Sequence, residues 1–240
     1  YDETSWLEQP LASRSENVNP FNMIEFVGRI VMTPATDNWT RTVIIPGGER
    51  RQTGNTARTF TEDILISSEP DTFMRSRNVQ FQAGGLRPVS RFYPFMDGIA
   101  GIDVIPKLIE VSMVSGTFNV GENVEGFVGS EKLITFRTAQ PNHKDGPYNN
   151  PEVTYNANPY NTSEQLTTQY SASGTVVNVD TRSLSNNAQG TYFGYITTGM
   201  SLVGADSGAT ATVTDVRLIT DTFGDLIGSF FIRDPNTNPP

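Results

Sequence analysis

The sequence predicts an all-β chain of two sandwich-like units, and three observations predict it. Apolar and polar residues alternate at period two in stretch after stretch, the signature of strands with one buried face. Turn formers punctuate these stretches, with 21 Gly, 15 Pro and many Asn in 240 residues. No long stretch carries helical periodicity. The apolar material is enough for real cores, with 14 Phe and 8 Tyr among 36% hydrophobic residues.

The elements follow in order. Residues 1–20 are polar and hold two prolines, so they read as an extended lead-in arm anchored by Trp6 and Leu7. A first β-sandwich domain is expected over 21–113. It opens with Ile24, Phe26, Gly28, Ile30 and Met32 on one parity and Glu25 and Arg29 on the other, which predicts a strand with one buried face. Thr42–Ile45 and Thr61–Ser67 are further strand candidates. Val79, Phe81 and Ala83 then alternate with Asn78, Gln80 and Gln82. Ile109, Val111 and Met113 alternate with Glu110 and Ser112.

A second β unit is expected over 114–136 and 175–233. It starts with a hairpin in which Gly121-Glu122-Asn123 forms the turn, and later Ala209, Ala211 and Val213 face away from Thr210, Thr212 and Thr214. The segments "FNVGENVEG" and "SLVGADSGA" share an apolar-Val-Gly-acidic character that suggests two related hairpins. Between the two parts of this unit, 137–174 is a polar excursion rich in Asn, Pro and Tyr. It is too long for a simple connection and reads as an arm or protruding loop with sparse tyrosine anchors. Residues 234–240 form a tail. The chain begins at Tyr1 and ends in Asn-Thr-Asn-Pro-Pro, so it is expected to be a piece of a longer protein.

Charge and composition narrow the function classes. The net charge is −9, lysine stands only at 107, 132 and 144, and arginine supplies the rest of the positive charge. A protein gripping a nucleic-acid backbone needs clustered cations, so no nucleic-acid partner is expected. There is no cysteine, which removes disulfides, thiolate metal sites and a cysteine nucleophile. No run of about 18 apolar residues encodes a membrane-spanning helix.

Candidate chemistry is sparse. His143, the one histidine, could act as a base with Asp145, but Lys144, Pro and Gly around it suit a solvated loop better. Glu62 with Asp63 and Asp97 with Asp103 are the carboxylate pairs that glycoside chemistry would call for, and turn propensity explains them as well. Asp206, Asp215 and Asp221 lack the twelve-residue calcium-loop pattern. Arg50, Arg51, Arg87 and Arg91 could meet a polyanion. Tyr148, Tyr155, Tyr160 and Tyr170 could stack on a sugar, but tyrosine is enriched at protein interfaces and a neighbouring subunit is preferred. Asn38-Trp39-Thr40 and Asn161-Thr162-Ser163 are glycosylation-type triplets without a secretory signal before them. No catalytic residue, cofactor site or metal site is assigned, and the chain is expected not to be an enzyme.

The densest stretch is "RNVQFQAGGLRPVSRFYPFMDGI", from Arg77 to Ile99. Leu86-x-Pro88-x-Ser90 before an aromatic resembles the tyrosine corner of immunoglobulin and fibronectin III sandwiches, with Tyr93 one place beyond the usual position. The stretch also belongs to a longer pattern of fixed spacings. It is carried by Arg77, Val79, Phe81, Gly85, Leu86, Arg87, Pro88, Ser90, Arg91, Tyr93, Phe95, Met96, Asp97 and Gly98, with "ENVNPF" and "PATDNW" upstream. This pattern, over about residues 16–112, resembles long virion structural proteins of tailed bacteriophages, including cyanophages, that carry a domain of unassigned function. "LIGSFFIRDP" resembles a stretch that precedes a further strand module in such proteins, with Arg233 where they have Pro. The resemblance implies a homo-oligomeric tail fibre, baseplate or hub segment, located in the virion tail and extracellular once assembled. Its partners would be copies of itself and other tail proteins. A receptor-binding adhesin or carbohydrate-binding module, with a host surface glycan as partner, is the alternative.

Overall fold

The computed structural model describes residues 5–6, 17–18, 28–35, 76–96, 99–142, 157–186 and 191–232. Strands take up 48% of these residues and helix 4%, so the all-β expectation holds and is compatible with a sandwich-like architecture. The elements in chain order begin with β1 (Ser5–Trp6), β2 (Asn17–Val18), β3 (Arg29–Thr33), β4 (Arg77–Gly84), β5 (Arg91–Phe92) and β6 (Phe95–Met96). Then come β7 (Ile99–Ala100), β8 (Val104–Pro106), β9 (Leu108–Ser115), β10 (Asn123–Val128), β11 (Glu131–Arg137) and β12 (Val176–Asn178). A short helix α1 (Thr181–Asn186) precedes β13 (Phe193–Gly194), β14 (Ser201–Gly204), β15 (Thr210–Asp215), β16 (Leu218–Ile219) and β17 (Leu226–Ile232).

Two sheets dominate. A seven-stranded sheet runs β12-β9-β15-β14-β10-β11-β13, and a four-stranded sheet runs β3-β4-β17-β8. The sheets curl into a half-barrel. The larger core lies against the seven-stranded sheet and includes Ile109, Val111, Val124, Phe136, Leu202, Ala211 and Val213. A second core joins Val79, Ala83, Val104, Leu218, Leu226 and Phe230. The alternation on β9 and β15 is realised: Ala209, Ala211 and Val213 are buried, while Thr214 opposite them is exposed.

One stretch of chain serves both sheets. β8 lies in the smaller sheet, β9 in the larger, and Lys107 alone separates them. The Lys107 N–H donates to Ile227 O at 2.9 Å, and its carbonyl accepts from Val179 N at 2.8 Å. Its ammonium donates to Val179 O at 2.7 Å, although the residue is only 1% exposed. The sequence boundary at 113/114 falls inside β9. β17, from the far end of the chain, returns to pair with β4 in the register Leu226↔Ala83 through Ile232↔Arg77.

Two expectations about faces change. Ile30 and Met32 on β3 are 66% and 53% exposed, not buried, because β3 lies at the margin of its sheet and packs on no described layer. Asn78 and Gln80, read as a solvent face, are buried. The Asn78 amide donates to Gly194 O at 2.8 Å and accepts from Gly194 N at 3.0 Å, while Gln80 donates to Thr181 Oγ1 at 3.2 Å. Polar side chains therefore dock β4 onto β13 and α1, and the buried Asn78 and Gln80 amides find partners there, as burial demands. The helix itself starts on Asp180, whose Oδ1 accepts from Ser183 N at 3.2 Å as an N-cap.

The described part of the polar excursion does not protrude. Asn158 is fully buried, and Tyr160 and Leu166 pack on Leu108 and Val176 on the outer side of the seven-stranded sheet. The Tyr160 hydroxyl donates to Leu108 O at 2.6 Å. Tyr170 enters the main core, edge-on to Phe118 with ring centroids 6.5 Å apart. Its hydroxyl donates to Ala139 O at 2.7 Å and accepts from Asn178 N at 3.0 Å.

Burial pushes the Tyr170 hydroxyl above the ordinary tyrosine range; the Asn178 backbone bond opposes the shift and the Glu122 charge adds to it. The unfolded chain releases this proton near pH ~10 while the folded chain keeps it. The unfolded state then binds fewer protons, so this contribution to stability is complete below pH ~10 and is lost as pH rises above it. Urea denaturation at about pH 8 and 10.5 should show Tyr170→Phe losing less stability between the two than the parent does. At the lower pH the variant should be about 1–2 kcal/mol less stable, since both hydroxyl bonds are gone.

Candidate functional site

The stretch singled out by the sequence forms one end of the smaller sheet. Val79, Phe81, Leu86 and Phe92 point inward and join the second core, with Phe81 stacked on Phe230 at 6.4 Å. Gly85 turns at φ 74°, and the chain then makes the corner from Leu86 to Ser90. Val89 sits at φ 46°, a conformation that costs a β-branched residue about 1–3 kcal/mol and persists only where its surroundings enforce it.

The surroundings are a second turn, Thr220 to Asp225. Leu86 N donates to Gly224 O at 3.0 Å and Val89 N to Asp221 O at 3.2 Å. Thr220, fully buried, donates its hydroxyl to Arg87 O at 2.7 Å and accepts from Ser90 N at 2.9 Å. The Asp221 carboxylate closes its own turn by accepting from Phe223 N at 2.9 Å and Asp225 N at 2.8 Å. Gly224 is at φ 80°, and a Cβ there would lie 2.0 Å from Leu86 O. The two turns thus interlock through backbone and cannot slide.

This interlock replaces the tyrosine corner. Tyr93 is 48% exposed, its hydroxyl has no hydrogen-bond partner among the described residues, and the Arg91 guanidinium lies 4.8 Å above its ring. The buried hydroxyl that ties the Leu-x-Pro turn belongs to Thr220, 130 residues on from Ser90. Sequence reading missed it. Asp221-Thr-Phe-Gly224 signals a turn, but nothing local names the turn it will meet.

Outward, the corner presents Val89, Tyr93 and Phe223, at 46%, 48% and 61% exposure, beside the exposed Arg87 and Arg91. Three large apolar side chains and two cations stand on a rigid frame in a chain of net charge −9. Such a surface suits contact with another macromolecule better than chemistry on a small one.

The other candidates separate. Asp215 pairs with Arg217 and Asp221 serves its turn. Asp206 lends its backbone N–H to Glu122. The Asp103 carbonyl accepts from Phe231 N at 3.0 Å. Asn161 accepts from the Ser163 hydroxyl at 2.7 Å within its own turn. Tyr160 and Tyr170 are used inside the chain rather than against a neighbour. Glu62, Asp63, Asp97, His143, Asp145, Arg50, Arg51, Asn38, Tyr148 and Tyr155 lie outside the described residues. Among the described residues no group of three or more His, Asp or Glu is placed to hold a metal ion, and no helix is long and apolar enough to cross a membrane.

The two similar hairpin segments do meet. Glu122, 2% exposed, accepts from Asn119 N at 2.6 Å in its own turn. It also accepts from Asp206 N at 3.1 Å, Ser207 N at 2.9 Å and the Ser207 hydroxyl at 2.8 Å in the other. This carboxylate, passed over as a turn residue, is a clasp between β10 and β14. No protein-family model matches the chain, and neither the curated proteins nor the solved structures contain a match.

Thr220→Val keeps the shape and removes the hydroxyl that bonds the Leu86–Ser90 turn. It should cost about 1–2 kcal/mol in urea denaturation, because a part-buried backbone N–H and C=O lose their partner.

Proposed function

We propose that the chain is a non-catalytic structural segment of a bacteriophage tail assembly, such as a tail fibre, baseplate or hub. In this reading it packs against copies of itself and other tail proteins. The observation that carries the packing role is the interlocked corner with its outward Val89, Tyr93, Phe223, Arg87 and Arg91. A strained turn fixed by a second turn holds these side chains at little further entropic cost on binding, which favours a permanent contact. The assignment to a tail rests on the spacing pattern from Arg77 to Gly98. Its Val79, Phe81, Gly85, Leu86 and Pro88 are the residues that build the core and the corner. The arginines give the contact its sign, since copies of an acidic chain offer carboxylates to meet them.

The alternative, an adhesin or carbohydrate-binding module, draws on the exposed Tyr93 ring. One face of that ring is already taken by Arg91. Light scattering coupled to size exclusion tests the first reading. The chain should self-associate at about 100 µM or below, and Phe223→Ser combined with Arg87→Glu should return it to a monomer with an unchanged melting temperature. A parent chain that stays monomeric at that concentration contradicts the proposal, and glycan-array binding lost in Tyr93→Ala would favour the alternative.

A further inference from the structure

A second surface stands apart from the corner, on the edge of the seven-stranded sheet. β12 pairs with β9 only over Val176↔Glu110 to Asn178↔Leu108. Val111 N still donates to Thr175 O at 2.7 Å, and then the chain turns away, with Gly174 N donating to Ser171 O at 2.9 Å. Beyond that point, among the described residues, no strand continues the line of β12 along Ser112–Ser115.

Backbone groups of a strand alternate between its two edges. Val111 uses its N–H on the β12 side, so Met113, two residues on, turns its N–H and C=O to that same side. The partner on the other side agrees: Val213, opposite Val111, sends its own N–H to Met200 O and away from β9. The edge left open is a cleft of about 490 Å³ lined by Glu110, Ser112, Met113, Ser173, Thr175 and Thr214. It is wide open to solvent and mixed in character, with polar and apolar lining. Val114, 71% exposed, shares the outward face of β9 with Glu110 and Ser112.

The charge in the cleft is one-sided. Glu110 is half-buried, and its one polar side-chain partner among the described residues is the Thr214 hydroxyl at 3.4 Å. No cation pairs with it among the described residues, and the register places Asp215 opposite it.

We propose that this cleft accepts an extended peptide from a partner protein, added as a strand to the edge of β9. The peptide would bond the N–H and C=O of Met113, set an apolar residue over Val114, and extend an arginine or lysine to Glu110. Strand addition of this kind takes its affinity from main-chain bonds and its specificity from alternate side chains. Here the alternation offers one apolar and one anionic contact on the outward face. An acidic peptide is disfavoured by the Glu110 charge, since Asp215 opposite it is already paired with Arg217.

The test is an amide-shift titration of the full ¹⁵N-labelled chain with acetyl-Thr-Val-Thr-Arg-Thr-amide, in which Val and Arg fall on the same face. Two analogues accompany it, one with Glu for Arg and one N-methylated along the backbone. Shifts centred on Met113 and its neighbours are expected with the first peptide and are lost with the N-methylated one. Glu110→Gln keeps the side-chain shape and should weaken binding by about fivefold, the size of an exposed ion pair. No shifts at residues 112–115, shifts centred elsewhere, or equal binding of the Glu analogue would overturn the proposal. The melting temperature of Glu110→Gln, measured alongside, separates lost binding from lost fold.

Discussion

Lys107 is the point through which the two sheets are joined. Its N–H belongs to the ladder of the smaller sheet, through Ile227, and its carbonyl to the larger, through Val179. Between them the side chain lies buried, its ammonium on the Val179 carbonyl. Burying an amine is costly unless its bonds are made, so the position of Val179 is as constrained as that of Lys107. Pro106 just before it has no N–H to give, which suits the place where one ladder ends. Ile105 and Ile109, on either side, are fully buried in the main core.

The closing strand depends on this junction. β17 lies between β4 and β8, and at Gly228 there is no room for a side chain. A Cβ there would sit 2.6 Å from the Phe81 ring and 2.8 Å from Ile105 O. The close approach brings Ile227 to Lys107 and sets the register that carries Phe230 onto Phe81. From β17 the chain runs back through the Asp221–Asp225 turn to the corner it interlocks. The outward corner and the inner junction are thus two ends of one strand arrangement. Carboxylates do similar work throughout, with Glu122, Asp180 and Asp221 each satisfying backbone N–H groups in turns. Part of the acidity of the chain is therefore structural.

The local rules were legible in the sequence and the long-range ones were not. Alternation placed Ile109, Val111 and Met113 on one face, and Ala209, Ala211 and Val213 on another, because a two-residue period follows from strand geometry itself. Gly121 marked a turn because it needs positive φ, which the structure shows at 84°. Lys107 gave no signal, since a lysine is almost always exposed and only the pairing of β17 makes a buried partner for it. Asn78 and Gln80 looked like a solvent face because the helix and the glycine that cover them lie more than 100 residues away. The corner was visible as a turn, and its aromatic was misassigned: the hydroxyl that ties it comes from Thr220, which no local pattern connects to Pro88. Tyr160 and Tyr170 were read as outward because their segment is poor in aliphatics. Their carbonyl partners are Leu108, on β9, and Ala139, just past the end of β11, and the segment folds back upon both.

If Lys107 joins the sheets, they open as one cooperative unit. Native-state hydrogen exchange read by mass spectrometry measures this directly, by comparing amides of β4 and β17 with amides of β10, β11 and β14 across a range of urea. The junction predicts that both sets converge on one opening free energy with one urea dependence. If the β4 and β17 amides exchange through a separate, lower-energy opening while the seven-stranded sheet stays protected, the sheets are independent and the role given to Lys107 is contradicted.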